Sequence, residues 1–194
     1  YPLSDDFNGA EQEGVGFYQL TQKDGRRCSS ARAYLHPVRA RPNLTVITDA
    51  LVSRVLFEGH RAIGVRYLDR AGQTFDLQAR REVVLAGGAI NSPQLLLLSG
   101  VGPRAELERH GIAQVHELPG VGQNLQDHLD VIVACRERRR ASYGFALSFL
   151  PRLLQGIVDF RRHGRGFLTS NLAEAGGFVK TDPALPRPNI QYHL

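Results

Sequence analysis

The chain has 194 residues, 42% apolar and 22% charged, the balance of a globular protein with a real core, which excludes wholesale disorder. Its net charge of +5 comes largely from arginine, and its longest apolar run is far too short to span a bilayer. The two cysteines, Cys28 and Cys135, lack metal-type or redox-type spacing, which excludes a disulfide framework and reads as free thiols in a reducing compartment.

Residues 1–37 read as irregular chain with short extended pieces. Asn8-Gly9 and Lys23-Asp24-Gly25 carry turn chemistry, and Gly14-Val15-Gly16 leads into an alternating strand at residues 17–21. Ser29 or Ser30 is placed to cap a short helix that reaches Leu35 and is ended by Pro37. Residues 44–48, 51–58, 62–69 and 73–77 predict strands. The hairpin-length turns at Gly59-His60-Arg61 and Arg70-Ala71-Gly72 make residues 52–79 an antiparallel excursion.

Residues 82–86 are apolar and β-branched, the pattern of a central strand covered on both faces. Ala86-Gly87-Gly88-Ala89 then removes side-chain bulk. Ser92 and Pro93 suit the cap and first position of a short apolar helix, with Gly100 as its stop. A strand that feeds through glycines into a helix either brings backbone close to a ligand or simply packs tightly.

Residues 104–110 predict one more helix with Gly111 as its stop, and residues 113–117 a short strand. The loop LPGVGQNLQDH follows at residues 118–128, and residues 131–135 are a strand candidate. Apolar residues at Phe149, Leu150, Leu153, Leu154, Ile157, Val158 and Phe160 predict an amphipathic helix over residues 145–163. Pro151 sits near its start, and Arg161, Arg162 and His163 suit its C-terminal dipole. It reads as a core-facing helix, with a membrane-surface helix as the second reading. Residues 167–194 read as strand, loop, strand, and a composition shift near Asp130 marks the expected domain boundary. The absence of Met, the opening on Tyr1 and the strand-like final residues are those expected of a piece of a longer polypeptide.

No complete G-x-G-x-x-G, P-loop, G-x-S-x-G or H-E-x-x-H occurs. Gly120-x-Gly122 lacks the third glycine of a dinucleotide fingerprint, and Asp127-His128 with Asp130 is not expected to hold a metal. The densest basic run, residues 136–140, has no interleaved aromatics and reads as a solvated loop. Spacing alone gives an α/β core with a glycine-lined turn and names no reaction.

Residues 88–96, GAINSPQLL, followed by Ser99-Gly100-Val101-Gly102, resemble the second signature of the glucose–methanol–choline (GMC) flavin oxidoreductases. LPGVGQNLQDH resembles the loop that follows it in that family, and residues 6–37 and 41–65 are similar to the segments that precede it. LTSNLAEAGGFVKTD, at residues 168–182, resembles the start of the substrate domain in the choline dehydrogenase-like branch.

The resemblance implies a mixed α/β fold. It contains part of a Rossmann-like FAD-binding domain with an antiparallel β excursion, and the start of an antiparallel-sheet substrate domain. Residues 1–40 would pack between the two domains, residues 41–130 would belong to the FAD domain, and residues 131–194 to the substrate domain. The implied activity of the parent enzyme is oxidation of a primary alcohol, with proton abstraction by a histidine and hydride transfer to flavin N5.

In the resemblance Val52 matches a backbone contact to adenine, and Ala86, Gly87 and Gly88 match the turn beside the dinucleotide. Glu174 matches a carboxylate that some choline-oxidising relatives set against the substrate's ammonium group, or else an acid held by nearby backbone. Neither His128 nor His193 matches the catalytic histidine, so no catalytic residue is expected in this chain. The expected partners are a small alcohol and the N- and C-terminal segments of the same polypeptide, not nucleic acid. The expected location is the cytoplasm, with peripheral membrane contact of the parent as a further option. The alternative function is a stand-alone basic module for nucleic acid or an anionic membrane surface.

Overall fold

A computed structural model describes residues 1–133 and 149–194. Cys135, the basic run at residues 136–140 and the expected helical residues 145–148 lie outside the described residues.

The elements in chain order are β1 (Gly14–Phe17), β2 (Gln22–Lys23), β3 (Arg26–Arg27), β4 (Leu51–Glu58), β5 (Arg61–Leu68), β6 (Thr74–Gln78) and α1 (Gly88–Leu98). They continue with β7 (Val101–Gly102), α2 (Arg104–Arg109), β8 (His116–Glu117), α3 (Leu150–His163), β9 (Ala175–Val179) and β10 (Ile190–His193). The fold class is mixed α/β with antiparallel sheets. The chain divides into two compact units: residues 1–44 with the described residues from 149 onward, and residues 45–133.

In the second unit, β4, β5 and β6 form an antiparallel meander in that order. The alternation in the sequence and the turns at Gly59 and Gly72, both with positive φ, specify this hairpin chain. Tyr67 stacks on Phe75 across the β5–β6 pair at 5.4 Å, and Arg66 holds Asp76 directly opposite through two bonds of 2.7 and 2.8 Å. The Arg66 hydrogen bond holds the Asp76 carboxyl below its ordinary value. A carboxylate lowered in the folded state stabilises it fully above the unfolded aspartate pKa of about 3.9 and loses that effect as pH falls through the lowered value. Asp76→Asn is therefore expected to lower the urea midpoint slightly at neutral pH, with the gap from wild type closing on acidification.

After α1 the chain turns at Gly100, whose φ is +84°, into β7, which pairs in parallel with β8. The core of this unit is small: Val55, Val101, Leu107, Val121 and the polar Ser99.

In the first unit, β9 is the central strand of an antiparallel sheet with order β1-β9-β10. Gly14, Gly176 and Gly177 are buried in it, and Phe7 packs on Tyr18 and Phe178 at 5.4 and 5.2 Å. Helix α3 is stopped by Gly164 in the left-handed conformation, with three basic residues in its last turn.

Several expectations are corrected. Residues 44–48 and 82–86 are not strands, because neither segment finds a ladder partner among the described residues. Of the expected strand at residues 131–135, residues 131–133 are exposed and find no ladder partner among the described residues, and 134 and 135 lie outside them. The first strand lies at Gly14–Phe17, not at residues 17–21, and the short helix at Ala31–Leu35 is a wide turn that runs through Pro37 into a tighter one. No helix among the described residues is long and apolar enough to cross a membrane.

Candidate functional site

The glycine turn before α1 differs from its expected form. The helix starts at Gly88, with Gly87 as its cap, and Pro93 lies inside it. Ser92 is thus not the cap residue, but its hydroxyl accepts a 2.9 Å hydrogen bond from the Gly87 amide and closes the turn from within the helix. Ser92 can do this because helix side chains lean toward the N-terminus, which carries its hydroxyl back over the first turn. Gly88 has φ +81°, a conformation that L side chains rarely adopt, and a Cβ there would meet nothing within 4 Å. Backbone conformation, and not tight packing, therefore requires glycine at this position. Ala86, Gly87 and Gly88 are all exposed, no side chain caps the helix, and its first turn has no acidic residue. An open, side-chain-free approach to backbone at an uncapped helix start fits a flavin dinucleotide's polar groups.

The other end of α1 is anchored. Ser99 is 4% exposed, donates to the Leu95 carbonyl at 2.5 Å and accepts from the Val55 amide at 2.8 Å. Val55 lies on β4, an edge strand, so this one hydroxyl satisfies an amide that no neighbouring strand reaches. Ser99→Ala is expected to cost about 1–3 kcal/mol, because it strands a buried N–H. Urea unfolding checks this, and Ser99→Thr, which keeps the hydroxyl, should recover part of the loss. The sequence reading assigned Ser99 no such task. The signal was a serine directly after the leucine run at residues 95–98.

Val52 lies on the same strand as Val55. Its register partner is Tyr67, and the next pair skips to Arg54 and Arg66, leaving Ser53 as a bulge whose hydroxyl donates to the Arg66 carbonyl at 3.2 Å. Val52 is 37% exposed on the free edge of the sheet. That edge offers backbone to a ligand whatever the side chain. The structure thus places Val52 and the residues 86–88 turn in one unit, with α1 packed on β4 through Ser99.

Glu174 belongs to the other unit. It is exposed, and its carboxylate has no hydrogen-bond or ion-pair partner among the described residues. Its carbonyl accepts the Tyr18 amide at 2.9 Å, extending the β1–β9 ladder by one pair. Directly opposed residues point to one face, so Glu174 and Tyr18 share a side with Gly176 and its partner His193. The Tyr18 and His193 rings lie 5.4 Å apart, and the Tyr18 hydroxyl donates to the Tyr192 carbonyl. Tyr18 and His193 are far from Glu174 in sequence, and only the sheet register brings them to it.

Among the described residues no group of three or more His, Cys, Asp or Glu could hold a metal ion. In the 118–128 loop the Asp127 carboxylate accepts the His128 amide at 2.8 Å, a bond within the loop itself.

Comparison with known proteins gives this geometry its context. The chain is 56% identical over 190 residues to an alcohol dehydrogenase [acceptor] of Pseudomonas putida, covering 97% of this chain and 34% of that protein. It is 46% identical over its full length to the mitochondrial choline dehydrogenase of Homo sapiens, covering 32% of that protein. Its fold superposes on an FAD-dependent oxidoreductase from Chaetomium thermophilum with a TM-score of 0.76 and 29% identity, covering 91% of this chain and 32% of that one. The chain therefore spans about a third of the length of these relatives. The sequence pattern of the GMC oxidoreductases matches residues 1–130, which include the glycine turn, the Ser99 anchor and the loop after them. The chain belongs to the GMC oxidoreductase family.

Proposed function

We propose that the chain is a portion of an FAD-dependent enzyme that oxidises a primary alcohol, choline-like or aliphatic. The observation that carries this reading is family membership over residues 1–130, together with high identity to proteins named alcohol dehydrogenase and choline dehydrogenase. FAD, when bound, supplies the hydride acceptor. The chain's own residues would bind and orient it: Ala86, Gly87 and Gly88 by leaving the backbone bare, and Val52 by its place on an open sheet edge. The sequence has no G-x-G-x-x-G turn to hold the pyrophosphate, so the isolated chain is expected to be inactive and to hold FAD weakly or not at all.

Glu174 would face substrate. An unpaired carboxylate with an aromatic ring on the same sheet face suits a cationic alcohol. The test takes the enzyme encoded by the full reading frame. Its absorbance should show a flavin that bleaches anaerobically when alcohol is added; a purified enzyme with no flavin, or one no alcohol bleaches, would overturn the proposal. Glu174→Gln should then raise KM for choline about tenfold, the effect of losing one favourable charge contact, and leave an aliphatic alcohol unchanged. Equal losses on both would make Glu174 a structural residue.

A further inference from the structure

Glu174 stands where the sheet of the first unit ends, one residue before β9. The residues ahead of it form a tight turn. The Ser170 hydroxyl accepts the Leu172 amide at 3.0 Å, and the Asn171 side-chain amide donates to the Ala173 carbonyl at 3.0 Å. Leu172 has φ +72°, a costly conformation for a leucine. On the sheet side, Glu174 is held by the Tyr18 amide, which donates to its carbonyl one pair beyond Phe17 and Ala175. After Tyr18 the chain leaves the sheet. An end pair of this kind ordinarily frays, and fraying here would also relax the turn at Leu172.

Tyr18 has a second hold. Its ring crosses the bare Gly176, where a Cβ would strike both the ring and the hydroxyl. The hydroxyl donates to the Tyr192 carbonyl on β10 and accepts from the Gln191 side-chain amide at 3.4 Å. The Phe7 and His193 rings each lie 5.4 Å from the Tyr18 ring, and Phe7 is buried. One side chain thus ties β1 to β10 across the central strand, while its backbone holds Glu174. All these residues belong to one unit, so the tie does not depend on which groups cover that face.

We propose that, with Glu174 read as the substrate contact proposed above, Tyr18 is its positioning residue: it locks the last pair of the β1–β9 ladder and so fixes where the carboxylate stands toward a cationic alcohol. A charge contact weakens with distance and with the entry of water. A carboxylate on a frayed backbone therefore spends less of its time at the ammonium group. The lock acts on binding of the charged end and not on the chemistry at the carbinol carbon.

The test uses the flavin-loaded enzyme encoded by the full reading frame. The two alcohols are choline and its uncharged isostere, in which carbon replaces the ammonium nitrogen. Tyr18→Phe keeps the ring and loses the hydroxyl tie. It should raise KM for choline about threefold, less than loss of the carboxylate itself, and leave kcat and the isostere's KM unchanged. Added to Glu174→Gln it should change nothing more, because no charge is left to place. The residue 18 amide should also exchange with solvent deuterium several-fold faster in Tyr18→Phe, a readout independent of turnover. A KM raised alike for both alcohols, or a full further rise in the Glu174→Gln enzyme, would make Tyr18 merely structural. Unchanged exchange at residue 18, or an unchanged choline KM where Glu174→Gln does raise it, would also sink the positioning role. A wild type that does not oxidise choline, or a Glu174→Gln enzyme with unaltered KM, would instead overturn the reading of Glu174, and the role of Tyr18 with it.

Discussion

Gly176→Ala is expected to destabilise the sheet of the first unit by about 3 kcal/mol, the upper end of the usual cost of overpacking. Gly176 is buried in the central strand, paired with Gly16 on one side and His193 on the other. A Cβ there would collide with the Tyr192 carbonyl and the Tyr18 hydroxyl, which are already bonded to each other. The tyrosine ring can swing away, but the carbonyl moves only if β10 shifts. Trimming Tyr18 to leucine in the Gly176→Ala background should therefore recover only part of the loss. Gly120→Ala is the matched control: its backbone has ordinary φ and a Cβ meets nothing within 4 Å, so its urea midpoint should stay near wild type. If the two alanine variants unfold alike, steric crowding under Tyr18 is not what fixes glycine at 176.

Leu107→Ala is expected to cost about 2–5 kcal/mol, the range for emptying a fully buried leucine site. Leu107 is 1% exposed, the most deeply buried side chain of the described residues. It comes from α2, a six-residue helix too short to hold itself together. Its backbone is a hub as well: its amide donates to the Pro103 carbonyl, and its carbonyl accepts the His110 and Ile112 amides. A core this small has few other side chains that could collapse into the gap. Leu107→Met, which keeps volume, should cost under about 1.5 kcal/mol. A guanidinium series on the three proteins separates the cavity from other effects, since a loss equal for Ala and Met would point away from packing.

The parts of the fold legible in sequence were those whose causes are local. Alternation plus glycine turns placed β4 to β6, and a basic last turn followed by Gly164 placed the end of α3. The failures share one physical origin. Residues 82–86 and 44–48 carry apolar content fit for strands, but a strand is a pairing, and composition says nothing about whether a partner is present. The start of α1 was misplaced because Ser92 and Pro93 satisfy capping preferences, whereas the positive φ of Gly88 opens the helix five residues earlier. The glycine turn was legible from its own residues as a ligand approach or a packing turn; its cofactor side and Val52 came through family likeness, and those roles are proposals. Ser99, Tyr18 and His193 could not be found that way, because what each does depends on a residue more than forty positions away or in another strand.

The bond between Ser99 and Val55 also makes one amide a reporter. Were α1 to lift from β4, the Val55 proton would lose its acceptor and trade with solvent deuterium, while amides bonded between β4 and β5 would keep theirs. Its exchange rate would then measure how often the helix carrying the glycine turn undocks. A bound dinucleotide that slows this exchange would show that the cofactor stiffens the helix from its far end.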